Sequence, residues 1–190
     1  MNQNKELKML KYLIELIKNR PLSTVRIRKQ IQKNPWFIKT LENPSEELWK
    51  LAVKQSGWII EIVPEQTYSL CMLAVKKDGL SLMKIKDPTR EIQKAALKSN
   101  GFAISLFDKP DEELCEIAID SKYWSIEFIK EQTHDLCWYA LKQNKWAILY
   151  IREPSEEMEM FALDNNVILS ELYEEQKMRK RSCTASSGNH

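Results

Sequence analysis

The feature that most constrains this chain is an alanine that recurs every 22 residues through its central part. It stands at Ala52, Ala74, Ala96, Ala118, Ala140 and Ala162. If alanine fills roughly one position in ten, six alanines in phase have a chance likelihood of about one in a million. Residues 44–176 therefore form an internal repeat, and the fold must repeat with the same period.

Each unit has the pattern of a short helix followed by a second, shorter apolar segment. The unit at residues 45–66 opens with a capping serine and two glutamates, which suit the start of a helix and its dipole. Apolar residues at positions four, seven, eight and nine have helical spacing. Gly57 is predicted to close this helix in the left-handed conformation. Residues 58–63 fit a strand or a helix by length, and we favour a helix because helix pairs are the common unit at such periods.

The sequence thus predicts an all-α fold, a right-handed or superhelical α-solenoid of about seven helix-pair repeats. An amphipathic helix is predicted at residues 1–22, the solenoid at 23–176, and a disordered, basic, Ser-rich tail at 177–190. The predicted units begin at residues 23, 45, 67, 89, 111, 133 and 155. The first is degenerate, with Gln30 in place of the alanine and Pro35 in place of the glycine.

The repeat carries the signature A-[VIL]-x-x-[NSD]-G-[WF], seen as AVKQSGW and ALKSNGF. With its period and paired short helices, this signature resembles the DUF4116 type of repeat, found in bacterial, phage and giant-virus proteins. Three later units depart from it, with Tyr123, Lys145 and Val167 at the glycine position. The resemblance implies an α-solenoid without catalytic residues, and a phage or viral protein that interferes with a host protein.

Charge is distributed unevenly along the chain. Residues 1–40 contain ten Lys or Arg against two Glu, and residues 177–181 contain four basic residues. Since the formal net charge is +2, the remainder carries −10 and the predicted solenoid is acidic with basic ends. Charges interrupt every apolar run, which argues against a secretory signal or a membrane span. Four cysteines without an exported context favour reduced thiols and a cytoplasmic location.

Two columns of residues that recur at the same position of the units, one of cysteines and one of aromatic residues, are candidate binding sites. Cys115, Cys137 and His134 could approach one another across adjacent units as zinc ligands, but structural zinc usually has tightly spaced ligands, and buried free thiols are favoured. One aromatic residue per unit could provide base-stacking platforms, but core packing is favoured. This column is Trp36, Trp58, Phe102, Trp124 and Trp146.

The motifs of catalysis are weak in this sequence. There is no Gly-rich phosphate loop and no Ser/His/Asp set, and the paired glutamates have a capping explanation. We therefore expect a non-enzymatic protein without a cofactor, whose most favoured partner is another protein. Positions two and six of the units are mostly charged and hence exposed, so apolar residues there are predicted interface anchors. These anchors are Tyr68, Met72, Trp138 and Met160.

Trp138 has a second interpretation, in which it packs against a terminal extension rather than a partner. The alternative function is nucleic-acid binding by the basic N-terminal region, where cationic side chains could hold phosphates. That basic patch consists of Arg20, Arg26, Arg28, Lys29 and Lys33.

Overall fold

The computed structural model describes residues 23–164, where every regular element is a helix and no strand occurs. A short α-helix alternates with a six-residue 3-10 helix, and each α-helix begins 22 residues after the one before it. The elements are α1 (Thr24–Lys33), η1 (Pro35–Thr40), α2 (Glu46–Gln55), η2 (Gly57–Ile62), α3 (Tyr68–Lys77), η3 (Gly79–Lys84), α4 (Arg90–Ser99), η4 (Gly101–Leu106), α5 (Glu112–Ser121), η5 (Tyr123–Phe128), α6 (His134–Gln143), η6 (Lys145–Tyr150) and α7 (Glu156–Asp164).

The all-α prediction is confirmed for this part of the chain, and the second segment of each unit is helical. It forms a 3-10 helix, whose tighter coil suits a run of six residues. The predicted N-terminal helix at residues 1–22, the end of the last predicted unit and the tail at 177–190 lie outside the described residues.

The repeated alanines lie at the centre of the packing. All six are fully buried, with no exposed surface. In five units the alanine carbonyl also accepts the last backbone N–H of its α-helix, as in Asp78 N to Ala74 O at 2.9 Å. The chain then turns into the 3-10 helix. An alanine here keeps the α-helices close together and marks the end of each one.

Capping side chains start most of the helices. Thr67, Asp111 and Thr133 accept a backbone N–H from the residue three places on, as predicted. Ser45 and Thr89 make no such bond, so the side-chain cap predicted at those two positions is wrong. The 3-10 helices have caps of their own. The side chains of these caps each accept a hydrogen bond from the backbone N–H of the residue two positions later. They are Asn34, Asp78, Asn100 and Asn144.

The glycines have a different role from the one predicted. No glycine in the described chain has a positive φ, so the left-handed closure is wrong. Instead, a Cβ at Gly57 would lie 2.6 Å from the carbonyl oxygen of Ala74, and one at Gly101 would lie 2.5 Å from that of Ala118. Glycine is required because the next α-helix presses its backbone against the start of the 3-10 helix.

Two glutamines join consecutive units where other units have proline. The amide nitrogen of Gln132 donates to the carbonyls of Ile126, at 2.8 Å, and Tyr150, at 3.0 Å. Its amide oxygen accepts the backbone N–H of Arg152 at 2.8 Å. Gln66 makes the equivalent bonds to Ile60, Lys84 and Lys86. One side chain thus satisfies backbone groups of two successive 3-10 segments.

Successive α-helices run in the same direction. At their N-terminal ends, Arg90 of α4 pairs with Asp111 and Glu113 of the next unit. At their C-terminal ends, the hydroxyl of Ser121 in α5 donates to the carbonyl of Lys98 in α4. The stack therefore has an N-terminal edge and a C-terminal edge, formed by the two ends of the α-helices.

We expect Gly101→Ala to destabilise the fold by about 1–3 kcal/mol, because the added methyl group overpacks the contact with Ala118. Ser105→Ala, an exposed site in the same 3-10 helix, is the control and should have little effect. Urea denaturation of both variants measures the difference. An unchanged midpoint for Gly101→Ala would show that the contact is not tight.

We also expect Gln132→Ala to cost about 1–3 kcal/mol, since it leaves two carbonyls and one N–H without their partner. Glu131→Ala, an exposed neighbour, is the matched control. Thermal denaturation should separate the two variants by several degrees, at about 2–8 °C per kcal/mol. Equal melting temperatures would contradict the bridging role.

Candidate functional site

Two of the four predicted anchors, Tyr68 and Met72, lie on α3, and the other two, Trp138 and Met160, lie on α6 and α7. Tyr68 is 55% exposed and Met160 is 63% exposed. Met72 and Trp138 are half-buried and pack against the core. Two of the four therefore present a largely open apolar surface.

Trp138 is held by its own neighbours. Its indole N–H donates to Nε2 of His134 at 3.0 Å, one turn earlier in α6. Its ring meets Phe161 of α7 edge-on, with centroids 5.6 Å apart. Trp138 thus joins α6 to α7, a contact within the stack, and its removal would disturb packing as well as any binding.

On α4, between the two pairs of anchors, Arg90 and Lys94 are paired with acids. Arg90 contacts Asp111 at 2.6 Å and Glu113 at 2.9 Å, and Lys94 also contacts Glu113. The Arg90 guanidinium and the Leu114 N–H lower the pKa of Asp111, while Lys94 and then Arg90 lower the pKa of Glu113. Both carboxylates therefore stay ionised at neutral pH, and the network has little free positive charge.

The basic patch predicted near the N-terminus is partly described. Arg26, Arg28, Lys29 and Lys33 are all exposed on α1. Arg20 lies outside the described residues. Side chains of α1 can therefore reach a phosphate in solvent.

The cysteine column forms part of the core. Cys71, Cys115 and Cys137 are free and buried. Burial raises the pKa of Cys115 to about 11 and shifts those of the other two upward, so the thiols are protonated at neutral pH and weak as nucleophiles. Within residues 23–164 no three His, Cys, Asp or Glu side chains are arranged to hold a metal ion. This includes the set of Cys115, Cys137 and His134 that was considered as a zinc site.

The aromatic column is only partly buried. Trp36 and Trp146 are each 37% exposed, and Trp58, Phe102 and Trp124 are half-buried. They line the C-terminal edge of the stack, next to exposed lysines of the last helical turns. These lysines were not among the predicted site residues, although a lysine at position ten recurs in four units, as Lys54, Lys76, Lys98 and Lys142.

None of the helices described here combines the length and the apolar character needed to cross a lipid bilayer.

No protein-family model matches the chain, and neither the curated proteins nor the solved structures compared with it include a match. The resemblance to DUF4116 repeats and the phage or viral origin therefore stay predictions.

Proposed function

We propose that this chain is a non-enzymatic interaction module, a right-handed or superhelical α-solenoid of about seven units that binds another protein. Helices that pack in series and run in one direction support the solenoid. Such a stack offers a long, regular outer face rather than a closed pocket. This geometry suits recognition of a macromolecule better than chemistry on a small substrate.

The observation that carries the protein partner is the exposure of Tyr68 and Met160 on a face where Arg90 and Lys94 are paired with acids. Protein interfaces are enriched in aromatic and methionine side chains and depleted of free charge at their centre. Tyr68 and Met72 form one anchor on α3, and Trp138 with Met160 forms the other.

The resemblance to DUF4116 repeats supports a more specific role, in which a phage or viral protein acts in the cytoplasm on a host protein. A second candidate is nucleic-acid binding through α1, favoured by the exposure of Arg26, Arg28, Lys29 and Lys33. Its affinity would fall steeply with salt, whereas binding through apolar anchors would change little.

We expect an elongated particle in solution. Seven units at about 8–10 Å each give a length of roughly 55–60 Å or more. Small-angle scattering measures the maximum dimension directly. A profile that fits a compact sphere would rule out the solenoid.

For the binding face, we expect the double variant Tyr68→Ala, Met160→Ala to weaken partner binding at least about tenfold, near 1.4 kcal/mol or more. Trp138 is left intact because it supports α7. The partner is first identified by affinity purification from cytosolic extract with the wild-type chain. It is then purified and titrated against each variant.

The control is Met83→Ala, Leu106→Ala, which removes two exposed apolar side chains from the 3-10 helices. It should bind like the wild type, and both double variants should keep nearly the wild-type melting temperature. Equal loss of affinity in both double variants, or no loss in either, would move the binding site away from the α-helical face.

A further inference from the structure

The C-terminal edge of the stack concentrates exposed positive charge. Seven exposed lysines lie there, and within residues 23–164 none of them forms an ion pair. They are Lys33, Lys54, Lys76, Lys77, Lys98, Lys122 and Lys142. A lysine near a helix C-terminus is favoured by the dipole. Because the helices run in the same direction, these lysines lie along the same edge of the stack and make it continuously basic.

The carboxylates on this edge in units three and five are engaged by aromatic side chains. Asp78 accepts the indole N–H of Trp58 at 2.8 Å, and Asp120 accepts the hydroxyl of Tyr139 at 2.7 Å. Within residues 23–164 neither carboxylate forms an ion pair with a lysine. The opposite edge differs, since the first three positions of the seven units contain nine acidic residues and one arginine.

A shallow groove of about 470 Å³ runs along the basic edge and crosses four consecutive units. Its lining includes Trp58 and Trp124 together with Lys77 and Lys122. Further along the edge on either side are Trp36 and Trp146, each 37% exposed.

Flat aromatic side chains interleaved with lysines match the chemistry of a single-stranded polynucleotide. We propose that the C-terminal edge binds single-stranded RNA or DNA, with lysines against the phosphates and the aromatic column against the bases. Every base has a π-face, and lysines that contact phosphates read no base edge, so binding is independent of sequence. The bases of a duplex are already stacked on one another and cannot reach the aromatic column.

An acidic peptide is the competing occupant of a basic edge. It offers carboxylates to the lysines. It has no regular series of flat rings, however, that could stack on the aromatic residue present in most units. The aromatic exposure therefore favours the nucleic acid. This site is distinct from the α-helical face proposed for a protein, and it shares only Lys33 with the basic patch on α1.

The test uses the full-length chain and fluorescence anisotropy with labelled oligouridine and oligothymidine of about 20 nucleotides. We expect binding of both strands that weakens linearly in log affinity against log salt. Lys76→Gln, Lys98→Gln should weaken it at low salt by about tenfold and lower the slope by about 1.4, at about 0.7 per lysine. Trp146→Leu should weaken binding about five- to a hundredfold, which is the effect of losing one stacked base.

The matched control is Lys86→Gln, Lys109→Gln, which removes two exposed lysines from loops that lie away from the C-terminal edge. It should reduce affinity much less than the change at Lys76 and Lys98. A duplex of the same length should bind more weakly than the single strands. A polyglutamate peptide should be unaffected by Trp146→Leu.

Three results would overturn the proposal. One is no binding of either oligonucleotide at low salt, and another is equal loss of affinity in the two lysine variants. The third is a polyglutamate peptide that binds more tightly than the oligonucleotides and is weakened by Lys76→Gln, Lys98→Gln alone, which would assign the edge to acidic proteins. Circular dichroism of each variant ensures that only folded chains are compared.

Discussion

The close contact between each α-helix and the glycine of the preceding unit is the constraint on which the stack depends. In units two to four the repeated alanine is fully buried. The glycine that begins η2, η3 or η4 lies against the alanine carbonyl of the next unit. A larger side chain on either partner would separate the units. The contact also leaves little room at position fifteen. There, the hydroxyls of Ser81 and Ser125 are buried without a hydrogen-bond partner in the described chain, a cost that the close packing must offset.

Hydrogen bonds between units supplement this contact and differ along the stack. The glutamines at residues 66 and 132 bridge two 3-10 segments each, and the guanidinium of Arg152 donates to the carbonyls of Glu127, Ile129 and Lys130. Units five and six lack the glycine, with Tyr123 and Lys145 in its place. Tyr123 stands in the glycine position and packs edge-on against Tyr150 of the next unit. The same architecture is thus maintained by different pair contacts at its two ends.

The period and the helix limits could be predicted because they depend on local chemistry repeated many times. Capping residues, helical spacing and the alanine recur in each unit, so every repetition adds to the same signal. The reason for the glycine could not be predicted. A left-handed turn and a close approach both require glycine, and only the position of Ala74 or Ala118 in the neighbouring unit distinguishes them. Trp138 shows the same limit, because its partner Phe161 lies 23 residues away on the next helix.

The division of charge between the two edges follows from the direction of the helices rather than from composition. Most units place acids near the N-cap of the α-helix, and most place lysines near its C-terminus, for the local reason of the helix dipole. Because the helices are parallel, these preferences add up instead of cancelling, and a chain of net charge +2 gains one acidic and one basic edge. In an antiparallel bundle the same sequence pattern would have mixed the two signs at both ends. The paired network at Arg90 lies between the apolar anchors on the outer face, and the lysines lie beyond it at the C-terminal ends. A protein on the outer face would therefore leave the basic edge uncovered, so the two proposed partners could occupy the stack at the same time.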